Sequence, residues 1–136
     1  MKYYLSECIL LSCLPLLASA QDLVWSEEFD AETGLNSSTW SYDLGADGWG
    51  NAELQNYVES AVTVDNGSLK IKADQNQDGN YTSGRINTKG KFMFKYGTLE
   101  ARINAPNLDA GLWPAFWTMG SNVDLVGWPA AGEIDM

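Results

Sequence analysis

Glu133 and Asp135 stand two positions apart in the run Glu133-Ile134-Asp135-Met136, whose alternation suits an extended strand. A strand puts residues i and i+2 on one face, about 6.6 Å apart by backbone rise, so each carboxylate can alter the other's ionisation. Such a pair suits covalent glycosyl transfer: one carboxylate stays ionised as nucleophile while its neighbour, holding a shared proton or hydrogen bond, tunes it. The competing reading is two solvated acids on an edge strand, since so short a motif arises often by chance. Tryptophans bear on that choice. Trp49, Trp113, Trp117 and Trp128 are all accompanied by glycine or proline within a few positions, where strand ends and loops could present flat indoles to a ligand. An indole covers the apolar C–H face of a pyranose while Asn, Gln, Glu and Arg bond its hydroxyls, which suits a carbohydrate cleft. Core packing competes for each of these rings, and Trp25 and Trp40 are assigned to the core entirely.

Composition narrows the chemistry further. The 136 residues include no histidine, which excludes Ser-His-Asp triads, histidine-bound zinc and imidazole bases, and leaves proton transfer to acids. A formal net charge of -10 with only eight lysines and arginines argues against a nucleic-acid partner, which needs a basic stripe to displace counterions. With 45% hydrophobic and 12% aromatic residues the chain is globular, and a neutral ligand fits it best.

The elements that must position these residues read as short strands separated by turns, without a helical period or an internal repeat. Val62-Thr63-Val64 and Leu69-Lys70-Ile71 alternate, and Asn66-Gly67 between them supplies the positive φ angles of a tight hairpin. A second hairpin is expected with Phe92, Phe94 and Tyr96 on one strand face, a turn at Gly97, and Leu99, Ala101 and Ile103 on the return strand. Trp113 to Met119 and Glu133 to Met136 supply two more strands, joined by a loop carrying Gly120, Gly127 and Pro129. One all-β domain of sandwich type is indicated. Its last strand stops at Met136 without a cap, so residues 21–136 are expected to form the N-terminal portion of a longer domain, with apolar strand faces lacking a partner sheet.

The segment 1–20 is set apart. Lys2 precedes an apolar run from Cys8 to Leu17, and Ala18-Ser19-Ala20 has the small residues of a cleavage site, so a signal peptide and a secreted, extracellular product starting at Gln21 are expected. The run is shorter than the roughly 18 residues of a membrane span. A lipoprotein site at Leu10-Leu11-Ser12-Cys13 is disfavoured, since it lies very near the start with more apolar sequence behind it. Both cysteines, Cys8 and Cys13, fall in the removed segment, so neither a disulfide nor a thiolate nucleophile is expected in the product.

Gly111-Leu112-Trp113-Pro114-Ala115-Phe116-Trp117-Thr118-Met119-Gly120 and Trp128-Pro129-Ala130-Ala131-Gly132-Glu133-Ile134-Asp135-Met136 resemble the laminarinases of glycoside hydrolase family 16. The resemblance continues upstream, in the family's order, through Trp25 to Asp30, Gly48 to Tyr57 and Tyr81 to Ile86. It implies a concanavalin A-like β-jelly-roll sandwich whose concave sheet binds β-glucan, and retaining endo-hydrolysis of β-1,3 linkages. In that family a Glu-x-Asp-x-Glu motif, or a form one residue longer, supplies nucleophile, assistant and acid/base in that order. Glu133 and Asp135 match the first two roles. The acid/base would fall one or two positions beyond Met136, so the segment by itself is expected to be inactive.

Other positions follow the resemblance, each with a structural reading beside it. Asn51 and Arg85 match residues that bond sugar hydroxyls, against a turn asparagine and a surface arginine. Glu53 either bonds substrate or braces the sheet. Trp113 and Trp128 resemble the walls beside the cleaved bond, and Trp117, on the same strand face as Trp113, serves either purpose. No cofactor is required. A structural calcium is implied at backbone carbonyls matching Glu28 and Gly67, with a further aspartate outside this sequence. Asp74-Gln75-Asn76-Gln77-Asp78-Gly79 has the oxygen spacing of a helix-loop-helix calcium loop, but its twelfth position is Arg85 and its flanks are strands, so it reads as a polar hairpin loop. Sequons at Asn36, Asn66 and Asn80 carry no argument. Two further readings compete with the enzyme: a β-glucan recognition protein without catalysis, which would be expected to replace one of the paired acids, and a jelly-roll adhesin.

Overall fold

The computed structural model describes residues 22–30 and 34–136. The expected signal peptide, its cleavage site, the lipoprotein motif and both cysteines lie outside the described residues.

The described residues form an all-β arrangement of short strands: β1 (Ser41–Tyr42), β2 (Asn56–Tyr57), β3 (Val62–Val64), β4 (Leu69–Ile71), β5 (Asp74–Gln75), β6 (Tyr81–Ser83), β7 (Ile86–Asn87), β8 (Trp117–Met119) and β9 (Glu133–Asp135). Strands β1 and β7 pair antiparallel, as do β3 with β4 and β8 with β9. In the three-stranded sheet β2-β6-β5 the β2 and β6 strands run parallel. Parallel neighbours need a crossover, here supplied by the β3-β4 hairpin and β5.

The expected first hairpin forms in full. Val62 faces Ile71, Thr63 faces Lys70 and Val64 faces Leu69, while Asp65 and Ser68 exchange backbone hydrogen bonds of 3.0 and 3.2 Å around the turn. Asn66 and Gly67 take φ of 51° and 67°, the left-handed pair that a two-residue hairpin turn needs and that a β-branched residue would resist. Ala61 and Val62 are the buried apolar residues, and Gly84 explains how closely they are approached. A Cβ at Gly84 would stand 2.3 Å from Val62 Cγ2 and 3.2 Å from Ile71 Cγ2, so only a glycine lets the chain between β6 and β7 lie against the hairpin. Trp25, Phe29, Trp40, Phe92 and Phe94 form a half-buried aromatic cluster, with Trp25 stacked on Phe92 at 4.7 Å and edge-on to Trp40 at 6.2 Å. The assignment of Trp25 and Trp40 to packing holds.

Two expectations need correction. The hairpin expected through Phe92, Phe94, Tyr96 and Leu99, Ala101, Ile103 has no strand ladder: no described strand pairs with residues 93–107, and Tyr96 is 85% exposed. An alternating run becomes a strand only where another backbone accepts its hydrogen bonds. The strand expected from Trp113 to Met119 shortens to β8, because its partner β9 reaches only to Trp117 in register. The loop between β8 and β9 also winds one helical turn, α1 (Val123–Val126), too short to leave a periodic pattern.

Candidate active site

The β8-β9 ladder places the paired acids. Asp135 lies opposite Trp117, Ile134 opposite Thr118 and Glu133 opposite Met119. Cross-strand partners share a face, so Glu133, Asp135, Trp117 and Met119 point to one side, and both acids are exposed. Backbone bonds from Met136 to Phe116 and from Gly120 to Gly132, each 3.0 Å, extend the ladder at both ends. An apolar hollow of about 520 Å³ lined by Leu99, Glu100, Ala101, Ile103, Phe116 and Met136 belongs to the opposite side, since Phe116 and Met136 alternate with Trp117 and Asp135. It holds no paired acids.

Arg85 joins this face to the rest of the molecule. Its guanidinium carbon lies 4.7 Å from the ring centre of Trp49, 5.3 Å from that of Trp117 and 5.9 Å from that of Tyr57. Gly84 sets the path of the chain just before it, and Asp43 meets it from the neighbouring strand. The β1-β7 register continues one step, with the Asp43 amide donating to the Arg85 carbonyl at 3.0 Å. Asp43 then divides its carboxylate: Oδ2 accepts from Arg85 Nε at 3.0 Å and Oδ1 from Asn87 Nδ2 at 2.9 Å. On the other side Glu53 Oε1 lies 3.8 Å from Arg85 Nη1. Arginine over indole and beside carboxylate combines cation–π attraction with charge-assisted hydrogen bonding.

The loop from Gly48 to Glu53 presents Trp49. Trp49 and Ala52 take φ of 47° and 55°, and the amides of Asn51 and Glu53 donate to the Gly48 carbonyl at 2.9 and 3.1 Å. Glu53 is saturated. Its Oε1 accepts from Asn51 Nδ2 at 3.3 Å, and its Oε2 accepts from Gln55 Nε2 at 2.8 Å and from the Tyr57 hydroxyl at 2.5 Å. Burial, reinforced by the hydrogen bond to Glu53, raises the Tyr57 pKa above the usual phenolic value. This bonding fits the bracing role weighed for Glu53 and leaves its substrate-binding role open to test.

The structure therefore brings Asn51, Glu53 and Arg85 together and links them through Trp117 to the face of Glu133 and Asp135. Trp113 and Trp128 stand apart from the cage, 92% and 68% exposed, one in the extended run before β8 and the other in the loop after α1. Trp113 is not part of β8, so it does not share a strand face with Trp117. Asp43, Tyr57 and Asn87 escaped the sequence reading. They sit one step beyond or at the ends of strands β1, β2 and β7, whose pairing only the structure reveals.

Metal-binding features are sparse. Among the described residues no three His, Cys, Asp or Glu side chains cluster to hold an ion. The Asp74–Gly79 stretch is a hairpin loop, as expected: Asp74 is taken by Lys72 at 2.6 Å, and Asn76 Oδ1 accepts from the amides of Asp78 and Asn80 at 3.0 and 2.9 Å. The Glu28 carbonyl oxygen lies 3.9 Å from where a Cβ at Gly67 would stand, so the segment around Glu28 passes close to the turn of the first hairpin. Among the described residues no helix is long and apolar enough to cross a membrane.

Residues 16–133 match the family described as beta-glucan synthesis-associated protein SKN1/KRE6/Sbg1. Over 137 aligned positions the chain is 39% identical to glucan endo-1,3-beta-glucosidase A1 of Niallia circulans, covering 87% of this chain and 20% of that protein. It is 40% identical over 126 positions to a beta-glucanase of Rhodothermus marinus, with 85% of this chain and 42% of that protein covered. The crystal structure of laminarinase from Flavobacterium sp. UMI-01 superposes with a TM-score of 0.72 at 40% identity, over 85% of this chain and 50% of that one. The chain thus spans from 20% to 50% of the length of these relatives. The all-β arrangement of the described residues is that of the jelly-roll laminarinases over about half their extent. The chain belongs to glycoside hydrolase family 16, among its laminarinase-like members, and to the SKN1/KRE6/Sbg1 β-glucan synthesis-associated family whose pattern it matches from residue 16 to 133.

Proposed function

We propose that the protein carrying this chain is a secreted, retaining endo-β-1,3-glucanase acting on laminarin-type glucans, and that this segment contributes the nucleophile half of its active site. The observation that carries the reading is the placement of Glu133 and Asp135 on one exposed face, beside Trp117 and the Arg85 cage. In this reading a Glu133 oxygen attacks the anomeric carbon as the glycosidic C–O bond breaks, and a further carboxylic acid, expected just beyond Met136, protonates the leaving oxygen. Water, deprotonated by that same acid, then cleaves the glycosyl ester and restores the original anomeric configuration. Asp135, on the same strand face, serves as the assistant beside the nucleophile. Asn51, Glu53, Arg85, Trp113, Trp117 and Trp128 bind sugar, Glu53 also holding Asn51 in place, and carbonyls of Glu28 and Gly67 hold a structural calcium. The test is laminarin hydrolysis by the whole protein. Glu133→Gln is expected to lower kcat on the order of 10³-fold or more with the fold intact, and an unchanged rate would overturn the assignment. The exposure of Trp113 and Trp128 favours one second reading, a glucan-recognition protein, which would bind laminarin without releasing reducing ends.

A further inference from the structure

Asp43 belongs to neither the paired acids nor the residues expected to touch sugar, yet it makes the side-chain hydrogen bond that anchors Arg85. Its two oxygens hold two different side chains, Arg85 Nε at 3.0 Å and Asn87 Nδ2 at 2.9 Å, and its own amide is fixed to the Arg85 carbonyl. Arg85 is half-buried, so this anchorage sets the rotation of the guanidinium between the Trp49 and Trp117 rings. A guanidinium has five N–H donors in a rigid fork. The Nε–H is spent on Asp43, Nη1 stands 3.8 Å from Glu53, and the guanidinium also interacts with the Tyr57 hydroxyl, which leaves part of the five-donor fork for a ligand. The remaining terminal donors are therefore held in place.

Charge decides what they can take. An arginine without partners is a bidentate receptor for sulfate, phosphate or carboxylate. Here Asp43 and Glu53 flank the one cation, and Asp135 lies opposite Trp117, the indole beneath it. Resting on the glucan-cleft reading above, we propose that Asp43 is a positioning and specificity residue: it clamps Arg85 between the indoles and, with Glu53, cancels its charge, so that the terminal N–H groups serve neutral sugar hydroxyls and reject sulfated or carboxylated glycans.

Calorimetry on the full chain with laminarihexaose and a sulfated laminarihexaose tests the selectivity. Wild type is expected to bind the neutral sugar much more tightly than the sulfated one. Asp43→Asn keeps the shape but loses the charge, and is expected to bind the neutral sugar about fivefold more weakly, the loss of one hydrogen bond's worth of positioning. It gains affinity for the sulfated sugar by about tenfold or more. Asp43→Glu keeps the charge but displaces it by one methylene, so neutral binding weakens while rejection of the sulfated ligand persists. A purely structural role would lower both affinities alike, and an unchanged neutral-to-sulfated ratio in Asp43→Asn overturns the proposal.

A second readout needs no ligand. The chain has two arginines, Arg85 and the exposed Arg102, and the Arg85 Nε–H is expected to give a slowly exchanging signal in ¹⁵N NMR that becomes fast in Asp43→Asn. Slow exchange surviving in the variant would sink the clamp. Failure of wild type to bind laminarihexaose would instead sink the glucan reading, with the Arg85 signal still deciding whether Asp43 positions the guanidinium.

Discussion

The Tyr57 hydroxyl donates to Glu53 at 2.5 Å, and its environment favours the neutral phenol. Because its pKa is raised in the folded state above the ordinary value of 10.0, the stabilisation is fully present below that value and is lost as pH rises through the folded pKa. Burial and Glu59 raise Tyr42 as well, so tyrosinate absorbance during alkaline titration should show late components from both tyrosines, and Tyr57→Phe should remove one of them. A uniform titration would contradict the Glu53 brace. Trp128 and Trp113 project into solvent, where an aromatic ring contributes little to folding. Trp128→Ala is expected to leave Tm nearly unchanged and to weaken laminarihexaose binding about fivefold, the scale of one stacking contact. A large fall in Tm with binding retained would return Trp128 to a packing role.

At the scale of elements, two glycines carry the geometry of the site. Gly84 lets the chain entering β7 rest on the first hairpin, immediately before Arg85, and Gly120 closes β8 toward β9. A Cβ at Gly120 would stand 2.0 Å from the Ala131 carbonyl oxygen, a backbone atom that cannot swing aside. Gly84→Ala and Gly120→Ala are each expected to cost about 3 kcal/mol by overpacking, measured by denaturant unfolding of the chain. Near-neutral effects would mean that the ladders pack less tightly than described. Legibility from sequence followed locality. The Asn66-Gly67 hairpin was readable because its turn chemistry and its alternation sit within ten residues, and the Glu133 to Asp135 strand because its alternation was short and unambiguous. The run from Phe92 to Ile103 alternates just as well, but alternation records a preference for extended backbone and says nothing of whether a neighbour is there to pair with. The short helix after β8 left no pattern to read.

For the whole molecule, the candidate site is assembled from pieces far apart in the chain: Asp43 and Asn51, then Arg85, then Trp117 and Asp135. No local motif announces Asp43, whose partners lie 42 and 44 residues away. By contrast Asn51, Glu53 and Arg85 came from the family resemblance, and the structure gathers them into one bonded network. The lack of histidine and the net charge of -10 remain the whole-chain facts that turn the chemistry toward carboxylates and the ligand toward a neutral one. The most direct test of the nucleophile role is covalent trapping in the whole protein. A 2-fluoro laminaribioside with a dinitrophenolate leaving group needs no acid to depart, so the glycosyl ester should accumulate on the attacking carboxylate. Peptide mass mapping is expected to place the adduct on Glu133; an adduct on any other carboxylate, or none while laminarin is being hydrolysed, would contradict the account.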